Sequence, residues 1–156
     1  MKAKEGVLES LNQILRAELT AIHQYLLHAA LCKNWGYERL HDQYSHLAKE
    51  EVEHSSGLID HILYLDGEPD VEHVDALAHG RDVEALFQAD LAFECEDVEL
   101  LRKAIAHCAT VGDFTTRHLL EYMIEDSEEH VDWFETQLRT IKQVGIQNYL
   151  AEQVKK

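Results

Sequence analysis

The chain repeats itself. Glu18, Glu51 and His54 return as Glu94, Ser127 and His130, each 76 positions further on. The apolar residues around them move by the same offset: Leu11 to Phe87, Leu15 to Leu91, Ile22 to Val98, Tyr25 to Leu101, Leu47 to Met123, Leu58 to Phe134 and Leu65 to Ile141. Any structure open to one half must therefore be open to the other. Within each copy the apolar residues recur three and four apart, the period of a helix with one buried face. The pattern predicts two helical hairpins, each turning acidic and imidazole groups into a shared interior.

The periodicity places a first helix at about Glu5 to Asn34, with Leu11, Ile14, Leu15, Ile22, Tyr25, Leu26 and Ala29 as its buried stripe. Trp35-Gly36 makes a turn. A second helix follows from about Tyr37 to Leu65, with Leu40, Tyr44, Leu47, Glu51, His54, Leu58, Ile62 and Leu65 on one face. Asp66-Gly67-Glu68-Pro69-Asp70 stops it, and the stretch to about Arg81 has no periodicity. A third helix is predicted from Val83 to Val111 and a fourth from Phe114 to Val144, with Gly112 as the break and Asp113 as N-cap. The inner face of the third carries Phe87, Leu91, Glu94, Val98, Leu101, Ile105 and Cys108; that of the fourth carries Leu120, Met123, Ser127, His130, Phe134, Leu138 and Ile141. Beyond Gly145, Ile146 to Val154 reads as a short fifth helix. Tight hairpins joined by one long link predict an all-α, ferritin-like four-helix bundle with one crossover, a single domain over residues 1–156.

Charge narrows the function classes. Fourteen Lys and Arg stand against 30 Asp and Glu, a formal −16. Such a surface repels phosphate backbones and concentrates small cations, so no nucleic-acid partner is expected. No run approaches the ~20 apolar residues of a membrane span, so no membrane partner is expected either. Cys32, Cys95 and Cys108 form no Cys-x-x-Cys pair, and the first residues lack the apolar stretch of a secretory signal. Both features lead to the expectation of a cytoplasmic protein.

Glu18, Glu51, His54, Glu94 and His130 all interrupt apolar stripes. Glu51 and His54 lie one helical turn apart and project together. The same spacing at Glu38 and His41, or at Asp70 and His73, falls on solvated surface and has no such significance. Burying carboxylates without partners costs several kcal/mol in practice. Two explanations are open: a network of protonated carboxyls and histidines, or bound cations. These faces carry no Lys or Arg to neutralise three glutamates, and a mixed oxygen and imidazole set suits iron, manganese or zinc.

Several segments resemble the bacterioferritins, essentially from end to end. They are Ala17-Glu18-Leu19-Thr20-Ala21-Ile22-His23-Gln24-Tyr25, Lys33-Asn34-Trp35-Gly36, Glu51-Val52-Glu53-His54, His130-Val131-Asp132-Trp133 and Gly145-Ile146-Gln147-Asn148-Tyr149-Leu150. The resemblance implies an iron-storage cage, a closed symmetric shell of about 24 subunits. It also implies a di-iron ferroxidase centre in each bundle and haem held between paired subunits. By position, Glu18 would bind one iron and Glu94 the other, Glu51 would bridge, and His54 and His130 would be terminal ligands.

Two positions depart from the family pattern. The second bridging glutamate falls on Ser127, whose neutral hydroxyl removes a charge and a two-oxygen bridge. Glu128 is rotated about 100° round the helix from it. The expectation is a weakened centre with one or two irons, and a ferroxidase activity impaired at Ser127. The haem-ligand methionine falls on Val52, which has no sulfur, so haem is not expected from this chain alone; Met123 reads as core filling. Together the departures lead to the expectation of a second bacterioferritin subunit in the shell, retaining the full site, the methionine or both. His46 and Glu50 match positions associated with an iron site on the inner shell surface, and are weaker metal candidates together with Ser127. Tyr25 and Trp133 match aromatics that the family uses for electron delivery, although Leu58 stands where a family tyrosine is often found. An electron-donor protein for iron release completes the expected partners. The alternative on the same bundle is a carboxylate-bridged di-metal oxidase acting on an organic substrate.

Overall fold

Gly36 and Gly112 allow the two hairpins to close. Both adopt left-handed backbone, φ +92° and +77°, where a side chain would be strained. The structure, a computed structural model, describes residues 1–78 and 80–154. Its helices are α1 (Val7–Asn34), α2 (Glu38–Tyr64), α3 (Val83–Val111), α4 (Phe114–Val144) and α5 (Ile146–Gln153), with no strand among the described residues. The first helix starts at Val7 rather than Glu5 because Gly6 is left-handed at φ +76°. Asp113 caps α4 as predicted, its Oδ1 accepting from the Thr116 amide at 3.0 Å. Asp82 does the same for α3, accepting from the Ala85 amide at 2.9 Å.

In the bundle, α1 pairs with α2 and α3 with α4, α1 packs on α3, and α5 closes the end against α4 and α2. A polar ladder on α1 fastens the long crossover. Asn12 Nδ2 donates to the Glu68 carbonyl, Arg16 pairs with Asp75, Thr20 Oγ1 accepts from the Asp75 amide, and Gln24 Oε1 accepts from the Ala78 amide. These positions recur every four residues, so they line one edge of the helix. That stripe is polar, which is why apolar periodicity alone did not reveal it. Leu26 corrects the predicted stripe: it is 57% exposed, being one residue on from buried Tyr25 and turned out by about 100°.

The core is in two parts. Tyr25, Tyr44, Phe87 and Phe134 lead a cluster at the α5 end. Leu11, Ile14, Leu58, Ile62, Leu101, Leu120 and Met123 lead one at the other end. Cys32 and Cys108 are buried in these clusters as free thiols, pushed up to about 12 and about 11, in each case chiefly by burial. On every long helix the boundary between the two clusters falls at the candidate ligands. Glu18, Glu51, Glu94 and Ser127 with their histidines therefore form one polar layer across mid-bundle.

Candidate metal centre

The repeat becomes a near two-fold arrangement in space. His54 Nδ1 lies 3.2 Å from Glu18 Oε2 and 3.6 Å from Glu51 Oε2. His130 Nδ1 lies 3.2 Å from Glu94 Oε1 and 3.5 Å from Glu51 Oε1. Two triads result, Glu18–Glu51–His54 and Glu51–Glu94–His130, all buried, with the ligand atoms of each within 4.8 Å of one another. Glu51 belongs to both. The five residues singled out in the sequence are thus brought together.

The opposite nitrogen of each ring is also held. His54 Nε2 is 2.7 Å from Asp126 Oδ2, and His130 Nε2 is 3.1 Å from Glu50 Oε2. Glu50 and Asp126 are themselves repeat partners, and they leave Nδ1 facing inward in both halves. Sequence inspection missed Asp126, although its 76-residue spacing from Glu50 was available as a signal. Glu50 also meets the exposed His46 at 2.5 Å. Such outer partners commonly alter metal affinity by about 10–100-fold. Accordingly, Glu50→Gln and Asp126→Asn are each expected to weaken metal binding about tenfold while leaving the fold intact, measured by calorimetric titration.

A closed network of neutralised groups would leave few buried oxygens without partners. Here Glu18 Oε1, Glu51 Oε1, Glu94 Oε2 and Asp97 Oδ1 are all buried and without a hydrogen bond. Among the described residues, the ion-pair partners of Glu18, Glu51 and Glu94 are histidines, never Lys or Arg. Four orphaned carboxylate oxygens beside two inward-facing imidazole nitrogens are a donor set that fits divalent cations. The contrast lies one layer away. Asp90 is fully buried, yet Gln24 Nε2 donates to it at 2.5 Å, Tyr44 at 2.5 Å, and His28 Nδ1 lies 2.7 Å away. That network satisfies itself.

Electrostatics agrees with geometry. Burial alone would depress His54, but hydrogen bonds and charge from Glu18 and Asp126 outweigh it and push the ring up to about 9. His130 is likewise opposed by burial and carried up to about 10 by Glu50 and Glu94. Burial raises Glu94, against the pull of His130 and Tyr25. Tyr25 donates directly to Glu94 Oε1 and is itself held well above its ordinary value by burial and then by Glu94. So Tyr25 touches a candidate ligand besides packing in the core. Trp133 lies further out, edge-on to Phe134 at 5.1 Å.

In the metal-free protein both imidazoles are therefore charged at neutral pH. Their pKa values are raised above the unfolded value of 6.5, so their contribution to stability is complete below that pH. It is lost as pH rises through about 9 and 10. Metal-free protein is expected to melt at a lower temperature at pH 10 than at pH 7. A cation at Nδ1 must displace its proton, so filling both triads at pH 7 is expected to release about two protons per subunit, read by titration in buffers of different ionisation enthalpy.

Ser127 is fully buried, and Glu128 is exposed, turned toward a surface pocket with Cys95 and Asp132. Val52 is 50% exposed on the outside of α2, and Met123 is buried in the apolar core.

The ferritin-like domain family matches residues 8–144. A "Bacterial ferritin" of Synechocystis is 39% identical over 155 residues, 99% of both chains. A "Bacterioferritin" of Mycobacterium leprae is 38% identical over 152 residues, 97% of this chain and 96% of that one. Another, from Rhodobacter capsulatus, is 37% identical over 149 residues, 96% and 92% respectively. The chain belongs to the bacterioferritin family. Its bundle, crossover and short fifth helix are those expected of a bacterioferritin. Among the described residues of this bacterioferritin-family chain, no helix is long and apolar enough to cross a membrane.

Proposed function

We propose that the chain is a subunit of a cytoplasmic iron-storage shell that takes Fe(II) as its substrate at the mid-bundle layer. Glu18, Glu51 and His54 receive one ion; Glu51, Glu94 and His130 receive the other. Each Fe(II) gives up one electron to oxygen or peroxide, and the ferric product is stored as mineral within the shell. One observation carries this reading: two buried triads share Glu51, and one oxygen of each of their glutamates accepts no hydrogen bond. A cation supplies what the fold leaves missing.

Ser127 makes the centre weaker than one with a glutamate there, because a hydroxyl offers neither the charge nor two oxygens to span two ions. Val52 offers haem iron no ligand. The shell is therefore completed by a second subunit type that carries the stronger centre, the haem methionine or both, and a donor protein supplies electrons for iron release. Native mass spectrometry of the full chain after aerobic Fe(II) loading tests the storage reading. A closed assembly of about 24 copies carrying many irons per subunit is expected. A monomer or dimer that stops at two ions would overturn it and favour an oxidase. Purification from the native host tests co-assembly, since a shell made of this chain alone with full oxidation kinetics contradicts it.

A further inference from the structure

We propose that Asp97 is a sixth metal-binding carboxylate of the centre, supplied from α3 in place of the one missing at position 127 on α4. The inference rests on the metal-binding reading above and concerns how that site is completed.

The internal repeat carries the argument. In the first half, position 21 is Ala and position 51 is Glu; 76 residues on, position 97 is Asp and position 127 is Ser. Each half keeps one carboxylate at this pair of positions, but the second half has moved it to the neighbouring helix. The structure shows the exchange in contact: Ser127 Oγ donates to Asp97 Oδ2 at 3.1 Å. The small serine leaves room into which the aspartate reaches. Asp97 Oδ1 receives no hydrogen bond from a donor group, although the residue is only 4% exposed, and the carboxylate it meets is that of Glu18. Burial and the neighbouring Glu18 and Glu94 carboxylates push Asp97 well above the usual carboxylate range. Glu18 belongs to one triad and Glu94 to the other, and the charge of each is felt at Asp97.

An aspartate explained by structure alone would have its oxygens satisfied, as Asp90 has. Asp97 is instead half-satisfied in an acidic neighbourhood, an arrangement that costs stability until a cation arrives. It also lines a cleft between α1, α3 and the crossover with Asp75 and Glu96. With one oxygen tied to Ser127 and a side chain one methylene shorter, Asp97 is a partial replacement for a bridging glutamate. The order of metal affinity should then be the Asp97→Ala variant lowest, the parent next, and Asp97→Ala with Ser127→Glu highest.

The test is titration of metal-free full chain with Co2+, followed by calorimetry and visible absorption, with a metal-free melt of every variant. The parent is expected to bind two ions per subunit. Asp97→Ala should bind the second at least about tenfold more weakly, with at most a small fall in its metal-free melting temperature, since the lost Ser127 hydrogen bond is offset by removal of a half-satisfied buried carboxyl. The exchanged pair, which reproduces the Ala21 and Glu51 arrangement already tolerated in the first half, should exceed the parent affinity. Unchanged two-ion binding by Asp97→Ala overturns the inference and leaves the site reading standing. Failure of the exchanged pair to recover the loss also overturns it, because the loss then came from packing. A parent that takes up no Co2+ removes the metal-binding reading itself.

Discussion

Glu51→Gln is expected to leave the bundle folded and to abolish two-ion binding, lowering affinity by more than about a hundredfold. A residue outside the ligand set typically changes affinity by about 10–100-fold, and Glu51 lies inside both triads. Its removal is felt at each ion, whereas loss of Glu18 or Glu94 deprives one. The amide keeps the volume of the side chain, so packing is preserved. The histidines keep their shorter contacts, His54 to Glu18 and Asp126 and His130 to Glu94 and Glu50, and the metal-free melting temperature should move little. Calorimetric titration with Co2+ beside a metal-free melt reads both quantities. A Glu51→Gln protein that still fills two sites at parent affinity would remove Glu51 from the centre.

Asp90→Ala is expected to do the reverse, costing stability and sparing the metal. Asp90 is fully buried and takes Gln24, Tyr44 and His28 on its two oxygens. Removing it strands three polar groups in the α5-end cluster, and breaking a buried pair of this kind costs roughly 3–5 kcal/mol. For a domain of this size that lowers the melting temperature by on the order of 10 °C. Gln24 also accepts from the crossover amide of Ala78, and His28 Nε2 lies 3.4 Å from the Ala78 carbonyl. The crossover should therefore loosen with the core, which hydrogen exchange at residues 75–78 would register. Below the transition, metal stoichiometry should stay at the parent value.

The two variants separate two kinds of buried acid that look alike in the chain. Asp90 and Glu94 both lie on α3, four residues apart, in the same kind of apolar stripe. Only their neighbours in space distinguish them: Asp90 is given donors by α1 and α2, while Glu94 keeps an oxygen with none. Asp97 was harder still to see. It closes the run Glu94-Cys95-Glu96-Asp97, in which Glu96 is exposed and Asp97 is buried. Composition offers no way to tell which acid of such a run turns inward. Asp126 and Glu50 were hidden differently, because each serves a histidine on a helix remote in sequence: Asp126 holds His54, and Glu50 holds His130.

The helices, their turns and the mid-bundle position of five polar residues follow from the chain alone. Each depends on local rules: three-and-four spacing of apolar side chains, glycine where the backbone turns left-handed, aspartate at a helix start. Repetition then doubled the signal, since Glu18, Glu51 and His54 could be compared with their counterparts. What tertiary structure decided is which donor each acid finds: Gln24 for Asp90, Ser127 for Asp97, nothing for the inner oxygens of Glu18, Glu51 and Glu94. Hydrogen bonding is short-ranged and directional, so partners separated by 30 to 80 residues in the chain exist only once the helices have packed. The need for a cation is a property of that packing.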